Sequence, residues 1–183
     1  MVRIIAGEFR GRKLFTPKDM SVRPTADRVR EAVFNILQNE IPDRRVLDLF
    51  AGSGAFGLEA LSRGARLAAF VDADPAHMEL LERNIALLGA EARTKTLRMD
   101  FERAILTMAG KGNKFDIVYV DPPYQAGYYE KALELLFTMR ILNRDATVVV
   151  EHPAELELTI PAGCAVRDKR KYGKTAVTLI QEG

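Results

Sequence analysis

Val46-Leu47-Asp48-Leu49-Phe50-Ala51-Gly52-Ser53-Gly54-Ala55-Phe56-Gly57 is the stretch whose reading decides the fold. Its first five residues form a mostly apolar run that reads as a buried strand, and the residues from Ala55 onward read as a helix. Between them Gly52 and Gly54 permit a tight turn and let a ligand approach the backbone closely. The helix that follows points its free N–H groups at whatever binds there. Downstream the same alternation continues. Strands are expected at 46–50, 67–72, 94–99, 115–120, 146–151, 165–170 and 175–181, with helices at 55–63, 75–88, 102–109 and 128–140. Asp74 as cap, Pro75 in the first turn and Gly89 at the end support the second of these helices. Such alternation implies an α/β fold in which a seven-stranded, mostly parallel sheet is covered on both faces. The last two strands are joined by a short turn at Gly173, so the last strand is expected to run antiparallel.

Upstream, 2–6 and 12–15 read as two short strands around a polar loop bracketed by Gly7 and Gly11, a basic N-terminal hairpin. A charged connector between Pro17 and Pro24 leads to a helix that Thr25 could cap. Ala26, Val29, Ala32, Val33, Ile36 and Leu37 give that helix one apolar face, and Pro42 closes the region. The 183 residues fit one domain spanning 1–183. Hairpin and connector occupy 1–24, the lead-in helix 25–41 and the ligand-binding core 45–183. The 48% hydrophobic content supports a real core, and no apolar run approaches the ~20 residues that span a bilayer. The first residues carry too short an apolar core for a signal peptide. A single cysteine, Cys164, and two distant histidines, His77 and His152, argue against a disulfide or a metal site. Together these features point to a cytoplasmic protein without metal or membrane.

Net charge is +2, unevenly distributed. Residues 1–30 carry eight basic side chains against three acidic ones, and residues 166–174 carry five against one, so the middle of the chain is acidic. Basic ends of this kind are an electrostatic footprint for a phosphate backbone. Arg10, Arg12, Lys13, Arg23, Arg28, Lys171 and Lys174 are the candidate contacts to such a backbone.

The turn at Gly52-x-Gly54-x-x-Gly57 fits the dinucleotide fingerprint, and Asp72 lies 20 residues beyond Gly52. A nicotinamide-dependent oxidoreductase is therefore one reading. Three features favour S-adenosylmethionine (AdoMet) instead. Asp48, inside the strand end, would attract the amino group of AdoMet and repel a pyrophosphate. Acidic residues also end the next two strands: Asp72, suited to ribose hydroxyls, and Asp100, suited to an adenine amine. In an open sheet these gather at the carboxyl edge. Finally, Asp121-Pro122-Pro123-Tyr124 ends the fourth strand, Phe115 to Val120, and has no role in hydride transfer. The prolines enforce a rigid extended turn. A carboxylate and a free carbonyl there, Asp121 and Pro122, can accept both hydrogens of an NH2 group, and Tyr124 can stack on a flat base.

With these motifs the chain resembles class I AdoMet-dependent methyltransferases carrying the amino-methylating signature [DN]-P-P-[YFW]. Asp48, Phe50, Gly52 and Gly54 match the first-strand motif, and Asp72 and Asp100 match the acidic positions that follow; Asp72 stands where many relatives carry Glu. The stretch RIIAGEFRGRKL, then Arg23-Pro24-Thr25, then DRVREAVFNIL from Asp27 to Leu37, is similar to the bacterial small-subunit (16S) ribosomal RNA guanine-N2 methyltransferase family, RsmD. Lys171-Tyr172-Gly173-Lys174-Thr175 fits that family's last hairpin. The resemblance covers essentially the whole chain. It implies a Rossmann-like methyltransferase fold, AdoMet as cofactor bound by Asp48, Phe50, Gly52, Ser53, Gly54, Asp72, Ala73, Asp100 and Phe101, and catalysis by Asp121, Pro122 and Tyr124. It implies ribosomal RNA as partner, within the small subunit or an assembly intermediate, acted on by a monomer. Adenine-N6 methylation of DNA or RNA uses the same tetrapeptide, and a non-catalytic RNA-binding protein with a relict cofactor fold is a further alternative. Cys164 reads as a small loop or buried residue and His77 as solvated. His152 is near the active edge, and Tyr128 and Tyr129 read as packing residues of their helix.

Overall fold

The computed structural model describes residues 2–17, 24–123 and 127–183, and the side chains within 24–26 are outside that description. The expected core is present. Strands β3 (Arg45–Asp48), β4 (Leu67–Asp72), β5 (Thr94–Arg98), β6 (Phe115–Val120) and β7 (Leu142–Pro153) run parallel to one another. Strand β9 (Thr175–Glu182) is antiparallel to both β7 and β8 (Cys164–Tyr172), giving the order β5-β4-β3-β6-β7-β9-β8. Strand order reverses between β3 and β6, the place where open α/β sheets bind ligands.

The helices cover both faces, as the buried runs in the strands require. Helices α1 (Pro24–Leu37), α2 (Ala55–Ser62) and α3 (Pro75–Leu88) pack one face, where Val33, Phe34, Leu61 and Leu81 meet Val46, Phe70 and Tyr119. Helices α4 (Phe101–Gly110) and α5 (Tyr128–Thr138) pack the other, with Ile105, Leu133 and Leu136 against Leu47, Val118 and Val148. Asp74 caps α3 through the Ala76 and His77 N–H groups, Pro75 sits in its first turn, and Gly89 closes it in the left-handed conformation.

Several boundaries move, each for a physical reason. The N-terminal ribbon is shorter than expected, with only β1 (Val2–Arg3) and β2 (Lys13–Leu14) paired. Ile5 and Ala6 N–H groups donate instead to the buried carboxylate of Glu59 on α2, at 2.7 and 3.0 Å. Glu8 N–H donates to the Ser62 carbonyl and Phe9 N–H to the Ser62 hydroxyl. The ribbon thus spends its backbone donors on α2 rather than on itself. Helix α1 opens at Pro24, so Thr25 lies inside it rather than preceding it. Strand β7 begins four residues early because its register against β6 jumps between Phe115 and Ile117. A 3-10 turn, Glu91–Arg93, was not evident from periodicity.

Candidate active site

The glycine turn is held from three sides. Gly52 and Gly54 adopt positive φ, +54° and +81°, which side chains other than glycine's rarely tolerate. Gly52 N–H donates to Asp72 at 2.8 Å, so the end of β4 clamps the turn. Asn84 of α3, fully buried, donates to the Ser53 carbonyl and also bonds both the N–H and the carbonyl of Phe15 in the ribbon. One amide therefore fixes the turn to the ribbon, an arrangement that no local pattern announces.

Gly57 resolves the ambiguity of the fingerprint. A Cβ there would come within 2.3 Å of the Phe70 ring, so the glycine serves helix–sheet packing. Its N–H donates at 3.1 Å to Asp48, which is 1% exposed. The first-turn donor that a pyrophosphate would use is taken by a carboxylate from within the protein. Burial raises the Asp48 pKa to about 7; the Gly57 N–H opposes this and the charge on Asp72 adds to it. A carboxylate whose folded pKa lies above its unfolded one favours folding most at low pH, and that contribution declines as pH rises from about 4 to 7. Asp48→Asn should therefore be more stable than the parent at pH 8, by about 1–3 kcal/mol, with the gap closing near pH 4. Urea unfolding at the two pH values measures it, and parallel stabilities at both would contradict it.

Asp72 ends β4 with both oxygens engaged: one accepts from Gly52 N–H and faces His77 Nδ1 at 3.2 Å, the other accepts from Asp74 N–H. His77 is thus a partner of Asp72 rather than merely solvated. Ala73 beside it is exposed. Asp100 is exposed and caps α4, accepting from Arg103 N–H at 2.9 Å. Phe50, Phe101 and Tyr128 gather at the same edge, with ring centroids 5.2 Å apart for Phe50–Phe101 and Phe101–Tyr128 and 6.3 Å for Phe50–Tyr128. Tyr128 therefore belongs to this aromatic group, whereas Tyr129 is buried in the core on the α5 side.

At the end of β6, Asp121 is exposed on one side and Pro122 is buried; Tyr124 lies outside the described residues. Burial on the protein side, with the charges of Glu151 and Asp48, pushes the Asp121 pKa well above the ordinary carboxylate range, tempered by the solvent on its open side. Glu151 and Tyr119 were missed in the sequence. The Tyr119 hydroxyl donates to Glu151, and its ring stacks on Phe56 at 3.9 Å with an interplanar angle of 4°. Glu151 ends the strand expected at 146–151, just as Asp72 and Asp100 close theirs, so the same strand-end rule would have found it, although β7 itself runs on to Pro153. His152, by contrast, is a core residue bonded to Thr178 and to the Pro153 carbonyl.

Of the expected RNA contacts, Arg10, Arg12, Lys13, Arg28, Lys171 and Lys174 are all exposed, and Arg23 lies outside the described residues. Cys164 is half-buried at the start of β8. Among the described residues no group of His, Cys, Asp and Glu could hold a metal, and no helix is long and apolar enough to cross a membrane.

A family model described as "Conserved hypothetical protein 95" matches residues 2–181. The chain is 41% identical over 181 residues to ribosomal RNA small subunit methyltransferase D of Escherichia coli K12, covering 98% of this chain and 89% of that one. The chain belongs to the RsmD family. The solved structure of yhhF from Escherichia coli superposes with a TM-score of 0.89 at 40% identity, covering 99% of this chain and 97% of that one. More distantly, the SAM-dependent methyltransferase from Agrobacterium tumefaciens, 19% identical, shares the fold with a TM-score of 0.64 over 88% of this chain and 63% of that one. Membership of the RsmD family accounts for the basic ribbon as well as the glycine turn, since the match begins at the ribbon.

Proposed function

We propose that this chain transfers a methyl group from AdoMet to the exocyclic N2 amine of a guanine in small-subunit (16S) ribosomal RNA. The observation that carries the reading is the pairing of the glycine turn with Asp121-Pro122 across the β3–β6 switch point, in a chain that belongs to the RsmD family. The residues present suit AdoMet. The turn at Gly52–Gly54 brings bare backbone to the sheet edge, Asp72 offers carboxylate oxygens to ribose hydroxyls, Asp100 an acceptor to the adenine amine, and Phe50 and Phe101 flat surfaces to the ring. Ser53 and Ala73, next in sequence to Gly52 and Asp72, complete the proposed cofactor contacts. When bound, AdoMet supplies a methyl group already activated on a sulfonium, so the protein has to position rather than activate it.

A guanine amine is a poor nucleophile because its lone pair is delocalised into the ring. Asp121 and the Pro122 carbonyl accept its two hydrogens, so the nitrogen can pyramidalise and turn its lone pair toward the methyl carbon. Tyr124 stacks on the base and fixes its plane. Alignment of this kind, with reacting atoms about 3–3.5 Å apart, can supply several kcal/mol of barrier lowering. The base must be unpaired or flipped out to reach the pocket.

The basic ribbon and the β8–β9 turn hold the RNA backbone, and the substrate is the small subunit or an assembly intermediate, met by a cytoplasmic monomer. Replacing Arg10, Arg12 and Lys13 together by Ala should weaken RNA binding and lower the slope of log affinity against log salt by about 2. Fluorescence titration at several salt concentrations measures this, and an unchanged slope would remove the ribbon from the RNA contact. The reading as a whole is tested by labelled methyl transfer to ribosomal subunits, naked ribosomal RNA and DNA, followed by nucleoside mass spectrometry. N2-methylguanosine in the subunit is expected; N6-methyladenosine would overturn the target. Calorimetry with AdoMet and with NAD separates the oxidoreductase alternative, and any labelled nucleic acid excludes the non-catalytic one.

A further inference from the structure

The register of the sheet brings more acid to the amine site than Asp121 alone. Strands β6 and β7 pair in parallel with Tyr119 beside Val149 and Val120 beside Val150. One residue further, that register sets Asp121 beside Glu151. Residues two apart on a strand share a face, so Tyr119 and Asp121 lie on the same side of the sheet, as do Val149 and Glu151. On the other flank Asp48 pairs with Tyr119 in the parallel β3–β6 ladder. All of these residues therefore occupy the face that α1 covers, where Tyr119 and Val149 share a core with Val29 and Val33.

Three carboxylates thus crowd one patch of sheet: Asp48 from β3, Asp121 from β6 and Glu151 from β7. Among the described residues the groups facing them are few. The Tyr119 hydroxyl donates to Glu151. From α1 comes Arg30, 8% exposed, whose guanidinium donates to the Arg3 carbonyl at 2.8 Å and pairs with Asp27 at 3.2 Å. Burial raises the Glu151 pKa, and the Tyr119 hydroxyl and the Arg30 charge only partly oppose it. On β9 the residue beside Glu151 is the neutral Val177. Arg30, already engaged by Asp27, is one cation against three neighbouring acids, and adjacent like charges cannot all ionise together.

We propose that Glu151 is a positioning residue for methyl transfer, forming with Asp121 a carboxylate pair that shares one proton and takes up the proton released by the amine. This rests on the reading of the site as an amine methyltransferase. The atoms balance simply. The nitrogen lone pair forms the new N–C bond, the electron pair of the broken S–C bond stays on sulfur, and the nitrogen, now carrying an extra positive charge, gives one proton to the Asp121 carboxylate. Glu151, hydrogen-bonded to Tyr119, shares that proton and keeps the Asp121 side of the pair in contact with the base. Both carboxyls are shifted upward by their surroundings, so the pair is a stronger base than an isolated carboxylate would be.

The test has two independent arms. In the first, carbon-13 NMR follows the carboxylates of the unmodified protein, without AdoMet or RNA, with Asp121 and Glu151 assigned by substitution. The expected result is two linked titration steps, the later one displaced upward by at least one pH unit from ordinary carboxylates. Independent titrations near pH 4 at both residues would overturn the proposal, whether or not the protein transfers methyl groups. In the second arm, single-turnover methyl transfer is measured against pH. Glu151→Gln removes the neighbouring charge and should shift the acid limb of the profile down by about one unit, whereas Glu151→Asp should keep the parent limb. An acid limb unmoved by Glu151→Gln would sink the role of Glu151. Absence of any methyl transfer by the parent protein would instead sink the methyltransferase reading, leaving the titration arm to decide whether the pair shares a proton.

Discussion

Asp121→Ala should lower methyl transfer to ribosomal RNA by about 10³-fold or more while leaving AdoMet affinity within about threefold of the parent. The asymmetry follows from position. Asp121 stands at the end of β6, and the AdoMet groups proposed for Asp48, Asp72 and Asp100 are met from β3, β4 and the start of α4. Removing an acceptor that aligns the amine costs orientation at the reacting atoms and little ground-state binding of the donor. A structural role would predict something else. The site holds Asp121 against burial and against the charges of Glu151 and Asp48, so its ionised form is disfavoured in the folded protein. The alanine variant should therefore unfold no more easily than the parent at pH 8. Single-turnover transfer, calorimetry with AdoMet and thermal unfolding measure the three quantities. An inactive variant that is also markedly unstable would point to a structural residue, and full activity would remove Asp121 from the mechanism.

Gly7→Ala is expected to cost about 2–4 kcal/mol and to release the ribbon from α2, the largest stability effect foreseen for one methyl group in this chain. Gly7 has φ +86°, and a Cβ there would lie 1.8 Å from the Ser62 carbonyl oxygen. That oxygen accepts the Glu8 N–H, and the Ser62 hydroxyl accepts from Phe9 N–H and donates to the Ala6 carbonyl. Backbone cannot yield as the end of a flexible side chain would, so the whole contact must open. Gly11 is the internal control: its φ is +81°, with no atom within 4 Å of a built Cβ. Gly11→Ala should cost only the left-handed strain, about 1–2 kcal/mol. Chemical denaturation separates the two. RNA affinity should fall more for Gly7→Ala, since the ribbon carries Arg10, Arg12 and Lys13. Equal losses for the two variants would mean that α2 does not hold the ribbon in place.

What could be read in the sequence was whatever depends on neighbours along the chain. The apolar runs at 46–50, 67–72 and 115–120, the glycines at 52 and 54 and the Asp74-Pro75 start of α3 each carry their own local reason, and each appears where expected except that the first strand ends two residues early, at Asp48. The fingerprint left two ligands open because spacing does not reveal what a glycine faces. Only the Gly57 N–H on Asp48 decides that, since the approach of Gly57 to Phe70 is packing that a dinucleotide turn would share. Glu59, Asn84, Arg30 and Glu151 escaped for a related reason. Each acts on a residue at least 27 positions away, as Arg30 does on Arg3 or Asn84 on Phe15, and such pairs exist only once the layers have packed. The ribbon was overextended for the same cause: Ile5 and Ala6 look like strand, but the carboxylate that takes their N–H groups is more than 50 positions along the chain.

The placing of β9 between β7 and β8 has a consequence for the order of synthesis. Six residue pairs join β7 to β9, so the edge of β7 beyond the amine site stays open until residues 175–182 have left the ribosome. Until then the nascent chain carries a sticky, half-built sheet, and Glu151 has no finished wall on that side. The amine pocket proposed for this chain is therefore walled on that side only after β9 has been made. A stalled or shortened nascent chain would present an aggregation-prone edge rather than a premature methylating activity.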